Sequence, residues 1–232
     1  MNPRFSVAAL ALCALAVGAL STGCAGPVMT SSTSYTVSGT IATLLVKTSD
    51  GSIGVKPTDR NSIQVTETYR YTGNKPSARH STEGGVLSLI ASGCGDQVPG
   101  SACSVSYTVE VPRATALQLT SDAADITVSN MAGSIDAASD GGTVTAYDVA
   151  SAHAVLSSDG GSVDARFNVA PSSVDARSDG GDVQLTLPNA VYAVDASSDG
   201  GSSQVSVGTA SASPRRITVR SDGGNISILP GG

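Results

Sequence analysis

Tryptophan is absent from these 232 residues, phenylalanine occurs twice and tyrosine six times. Stacked aromatic platforms for sugar rings or bases therefore have few candidates. Two histidines and four cysteines, with no C-x-x-C spacing, do not compose a zinc site. The 13 Lys and Arg form no basic tract and the net charge is −6, which argues against nucleic acid and anionic lipid as partners. No G-x-S-x-G nucleophile elbow and no glycine-rich phosphate loop ending in Gly-Lys occurs, and no cofactor is expected.

One long apolar run exists, Val7 to Leu20, behind the positive charge of Arg4. It is shorter than the roughly 20 residues of a membrane span, and it fits an export signal. Residues 1–23 are read as a lipoprotein signal peptide: Ser21-Thr22-Gly23 leads into Cys24 and resembles a bacterial lipobox, with Ser21 where Leu is usual. Acylation of Cys24 would anchor the chain to the membrane, since two acyl chains suffice for stable attachment. Arg4 is the only charged residue before Cys24, so the mature chain carries −7. The predicted location is extracytoplasmic, lipid-anchored to a bacterial cell membrane. Cys94 and Cys103 remain, and in an oxidising compartment they are expected to form a disulfide. Closing so short a loop is worth about 2.7 kcal/mol on the chain-entropy model.

The second half repeats one corner. Ser-Asp-Gly-Gly occurs with its Asp at Asp140, Asp159, Asp179, Asp199 and Asp222, preceded by the variant Ser121-Asp122-Ala123-Ala124. The Asp positions are 18, 19, 20, 20 and 23 residues apart. Such a period marks units that bury their apolar faces only by stacking. Counting from the Asp, positions −5, −3 and −1 are apolar or small, as in Ala154/Leu156/Ser158 and Ile217/Val219/Ser221. Positions +4 and +6 are apolar, as in Val163/Ala165 and Ile226/Ile228, with one break at Ser203. Alternation on both sides predicts strand, corner, strand. The glycine pair is expected to supply positive φ, the Asp to bond its own backbone, and the inward Ser to find a carbonyl. Asp136, Asp164, Asp175, Arg177, Gln184, Asp195 and Arg220 fall on the outward parity as a solvated face.

A weaker copy of the unit spans Leu44 to Val55, and Ile63–Tyr71, Gly85–Ala91 and Ser104–Val111 alternate like strands. The prediction is an all-β fold: a single-stranded β-solenoid, or β-helix, with turns of about 20 residues and an irregular disulfide-bridged N-terminal cap. Residues 24–34 are expected to be a flexible tether, 35–113 the irregular cap, and 114–232 the regular repeat.

These features resemble the DUF4097 family of bacterial envelope proteins, whose members carry the label adhesin. The resemblance rests on the lipobox start, Thr48-Ser49-Asp50-Gly51-Ser52-Ile53, Ile63 to Thr68, Cys94, Cys103 to Pro112, and the Ser-Asp-Gly-Gly units. It implies a β-solenoid and supplies no catalytic residue set.

Three functions are set beside one another. The first is a non-catalytic scaffold or adhesion surface contacting an envelope protein or a glycan. The second is a polysaccharide-acting enzyme, because paired carboxylates near 5 Å suit a retaining glycosidase. Similar corners, however, lack the two different environments that an acid and a nucleophile need. The third is an envelope-stress or ion-sensing component with a membrane partner. A stacked ladder of Asp140, Asp159, Asp179, Asp199 and Asp222 is a candidate calcium site, although the spacing does not match the nine-residue calcium β-roll. His80 and His153 are read as surface residues.

Overall fold

The computed structural model describes residues 26–93 and 101–231; Cys24, Cys94 and the signal segment lie outside them. The described chain is all β, and its strands form two ten-stranded sheets that enclose a continuous apolar core. Within the repeats, each unit contributes one strand to either sheet, joined by the corner. The units are β8/β9 (Ala116–Ser121, Ile126–Ser129), β10/β11 (Ile135–Ser139, Val144–Val149), β12/β13 (His153–Ser158, Val163–Phe167) and β14/β15 (Ser173–Ser178, Val183–Leu187). Two more follow, β16/β17 (Val191–Ser198, Ser203–Val205) and β19/β20 (Arg216–Ser221, Ile226–Pro230), with the short β18 (Gly208–Thr209) between them.

All neighbouring repeat strands are parallel, and they stay in register except at a bulge in β11 after Ala146. Ala137 of β10 lies opposite Leu119 of β8 and Leu156 of β12, and Leu156 lies opposite Ala176 of β14. The inward column thus alternates Leu, Ala, Leu, Ala, so bulk in one layer fills the space its neighbours leave. These four side chains are at most 2% exposed.

The layers do not follow sequence order at the ends. β14 pairs with β19 and β19 with β16, while β15 pairs with β20 and β20 with β17. The last unit is therefore threaded between the fourth repeat and the fifth. This corrects the expectation that each unit stacks on its sequence neighbour. The longer connection, 206–215, gives the chain the length to cross outward and return. It also explains the break at Ser203: β17 is the outermost strand and all three of its residues are exposed, so no apolar residue is required there.

The same interleaving occurs at the other end. β2 (Thr43–Thr48) lies between β6 (Val86–Ser92) and β8, and β3 (Ile53–Thr58) lies between β7 (Cys103–Pro112) and β9. These pairings are parallel, so within residues 35–113 the strands β2, β3, β6 and β7 continue both sheets as regular layers. Antiparallel strands then finish each sheet: β4 (Ile63–Tyr71) and β1 (Met29–Val37) beyond β7, and β5 (Ser77–Glu83) beyond β6. Residues 29–34, expected as tether, are part of β1, paired with β4 from Met29↔Tyr71 onward. Neither β1 nor β5 has the apolar alternation that marks a strand, since both lie at edges and face water over most of their length.

Candidate functional site

The repeated corner is held by its serine. In each Ser-Asp-Gly-Gly turn the Ser Oγ accepts the N–H of the second glycine of its own corner, as in Gly161 N to Ser158 Oγ at 2.8 Å and Gly181 N to Ser178 Oγ at 2.8 Å, and at the variant corner Ser121 Oγ accepts Ala124 N. The same hydroxyl donates to the carbonyl of the layer beneath: Ser158 to Gly142 at 2.7 Å, Ser178 to Gly161 at 2.7 Å, Ser198 to Gly224 at 2.7 Å. Ser121, Ser139 and Ser221 repeat the arrangement, and Thr48 donates likewise to Val105 O at 2.9 Å. A column of buried hydroxyls thus ties turn to turn.

The corner glycines do not supply positive φ. Among the described residues positive φ occurs at Gly39, Gly73, Gly84 and Gly85 and at Asn130 and Asp148, none of them a repeat corner. The second glycine is needed for space instead: a Cβ on Gly161 would lie 2.5 Å from Gly142 O, and one on Gly224 2.2 Å from Gly181 O. The first glycine is less confined, at 3.1 Å or more for Gly160, Gly180 and Gly223.

The corner Asp side chains point to solvent, and no backbone hydrogen bond of their own organises the turn. Their main-chain N–H groups continue the ladder: Asp140 N to Ser121 O, Asp159 N to Ser139 O, Asp179 N to Ser158 O, Asp222 N to Ser178 O, Asp199 N to Ser221 O. The carboxylates therefore form one exposed column in the order Asp122, Asp140, Asp159, Asp179, Asp222, Asp199. Among the described residues no group of three or more His, Cys, Asp or Glu is placed to hold a metal ion. Three positions after the corner, side chains do cap the neighbouring layer: Asp125 Oδ1 accepts Thr143 N at 2.8 Å and Asp182 Oδ1 accepts Asn225 N at 2.7 Å.

Two features lie outside the repeat motif. The first is buried Glu67 on β4, 5% exposed. Tyr35 Oη donates to its Oε1 at 2.7 Å and Tyr69 Oη donates to Oε2. Burial, then the bond to Glu67, holds both phenols well above their ordinary pKa of 10.0. Tyr107, opposite Glu67 on β7, is raised chiefly by burial, and among the described residues its hydroxyl has no hydrogen-bond partner. Tyr35 stacks on His80 at 4.6 Å and Lys75 Nζ sits 3.7 Å from the Tyr69 ring centre, so the cluster closes the end of the core. Ile63-Gln64-Val65-Thr66-Glu67 gives Glu67 the inward parity, a signal present in the sequence.

The second is an open cleft of about 520 Å³ at the opposite corner, bordered by Asp148, Arg166, Asn168, Thr186, Asn189 and Pro230. Asp148 is held at φ 56° on a bulge where the β11–β13 register shifts, and its Oδ1 accepts Arg166 Nη2 at 2.6 Å. His153 Nδ1 lies 2.9 Å from Ser173 Oγ on the neighbouring strand β14. Cys103 is buried at the start of β7, while Cys94 and Cys24 lie outside the described residues.

No protein-family model matches the chain, and no curated protein matches it. Solved structures do resemble it. A presumed adhesin from Bacteroides fragilis is 14% identical, with a TM-score of 0.50 over 87% of this chain and 97% of its own. A presumed cell adhesion protein from Clostridium sporogenes is 11% identical, with a TM-score of 0.48 over 88% of this chain and 100% of its own. A presumed adhesin from Parabacteroides distasonis is also 11% identical, with a TM-score of 0.40 over 85% and 97%. At this identity the likeness to the Bacteroides fragilis protein is one of fold. Resemblance to DUF4097 continues to rest on the residues quoted above.

Proposed function

We propose that this chain is a non-catalytic envelope lipoprotein whose solenoid-like stack displays an adhesion or interaction surface. Cys24 carries the lipid, and a Cys94–Cys103 disulfide pins the loop between β6 and β7. The observation that carries the reading is the corner architecture. Buried serines bridge successive layers, while charged residues of the repeat strands such as Asp175, Arg177 and Arg220 face outward, Arg177 directly opposite Arg220. Such a body suits display of a broad face better than closure around a substrate.

The corner carboxylates give the glycosidase alternative no support. They share one exposed environment, whereas acid and nucleophile need two. The outward faces carry paired groups such as Arg220 and Asp195, joined at 2.6 Å and 3.1 Å by two parallel bonds. Hydrogen bonding from Arg220 holds the Asp195 carboxyl below its ordinary range.

The test is cell attachment. Cells producing the chain are expected to adhere to a glycan- or protein-coated surface more than cells lacking it. Replacing outward residues such as Arg177, Arg220 and Asp175 should abolish the difference while leaving the melting temperature unchanged. Equal attachment with and without the chain, across such surfaces, defeats the reading.

A further inference from the structure

Three of the cap's positive charges lie around the corner where the chain leaves the stack. Gly26 approaches Thr72 closely enough for a Cβ to lie 3.5 Å from Thr72 Cγ2, and Met29 pairs with Tyr71. Arg70 precedes Tyr71 at the end of β4, Lys75 lies in the connection to β5, and Arg79 follows two residues into β5. Arg70 and Arg79 flank this corner from the two sheets, with Lys75 between them. All three are exposed, and among the described residues none forms an ion pair. Asp50 shares a small hollow with Pro76 at the same corner and neutralises none of them by direct contact. Val28 and Met29, 47% and 41% exposed, present apolar side chains at the start of β1, where it pairs with the end of β4.

We infer that this cap corner docks on anionic lipid headgroups, a local departure from the expectation drawn from net charge alone. The inference rests on the anchor reading: Cys24 is only five residues before Met29, so an acyl group there holds the corner against the bilayer. Basic groups then meet acidic headgroups while Val28 and Met29 enter the interfacial region. The rest of the charge agrees. Residues 114–232 contain thirteen Asp against five Arg, and the column from Asp122 to Asp199 runs away from this corner. An anionic surface therefore attracts the cap and repels the repeats, so the stack stands on its N-terminal end instead of lying flat.

The test uses the chain from residue 24 with C24S; all twenty strands lie within 29–230, so the fold is retained. Its partition onto vesicles of 30% phosphatidylglycerol in phosphatidylcholine is measured by co-sedimentation at low salt. Each of R70Q, K75Q and R79Q is expected to weaken partition about five-fold and the triple variant about a hundred-fold, the worth of a basic residue near such a surface. Pure phosphatidylcholine should bind weakly, and R215Q/R216Q, at the far end, should bind as the parent does. Melting curves of all variants confirm folding. Partition unaffected by the triple variant, equal on neutral vesicles, lost equally in R215Q/R216Q, or absent altogether overturns the inference; the last result would turn attention to an acidic protein as the occupant. The anchor is read separately, from the mass of the N-terminal peptide of the exported chain. An unmodified Cys24 defeats the anchor without altering the vesicle result.

Discussion

Within one corner, adjacent residues of the same motif have opposite tolerances. Gly161→Ala places a methyl group against the Gly142 carbonyl, a backbone atom that cannot swing aside. It is expected to cost about 1–3 kcal/mol in denaturant unfolding, the usual range for overpacking. Ser158→Ala leaves Gly161 N and Gly142 O without the buried hydroxyl and should cost a similar amount. Asp159→Asn, on an exposed side chain, should remain within about 0.5 kcal/mol of the parent. If Asp159→Asn proved as damaging as Ser158→Ala, the assignment of the turn to serine would be wrong. The phenols around Glu67 give a pH prediction. Their folded pKa lies above the unfolded value of 10.0, so their contribution is fully present below pH 10 and is lost as pH rises through the folded value. Stability measured by denaturant titration should fall as pH is raised above 10. Tyr35→Phe and Tyr69→Phe should each flatten that fall.

Among the elements, the interleaved units decide how the stack ends. Removing residues 216–231 does not trim one layer from an end; it takes away the partner of both β16 and β17. Residues 191–207 are then expected to exchange their amide protons at unprotected rates, with β8 to β15 still protected. Retained protection in 191–198 would mean that β16 can pair directly with β14. Much of this level was legible in the sequence. The period and the alternation of residues such as Ala154/Leu156/Ser158 gave the strands and corners, because small inward residues and fixed turns are dictated locally. The layer order was not legible, since β14 meets either β16 or β19 with equally apolar residues, Val194/Ala196 or Ile217/Val219. Ser203 was the one clue, a polar residue where only an outermost strand tolerates it. The edge strands β1 and β5 gave no periodic signal, and the role of the glycines was misread because close approach and positive φ select the same residue.

For the molecule as a whole, the governing quantity is charge arranged in a line. Six exposed carboxylates repeat at the strand spacing with no basic residue in their column, so they repel one another. Raising sodium chloride from 50 to 500 mM should increase the melting temperature through screening. Calcium, compared with sodium chloride at equal ionic strength, should add no further saturable increase, because a ligand shifts the midpoint only where the folded state offers it a site. A saturable calcium-specific rise would instead make the column a binding site.

The threading of both terminal units has a consequence in time. A stack built in sequence order can add layers as the chain emerges from a translocation channel. Here the fifth repeat has no completed neighbour until Arg216 to Pro230 have arrived, and β2 and β3 wait for strands more than forty residues downstream. Contacts that span long stretches of chain form late. The N-terminal layers therefore close only once residues up to Ser129 have emerged, and the C-terminal layers only once Arg216 to Pro230 have, so under the export proposed above the leading part would stay incompletely folded early in its passage.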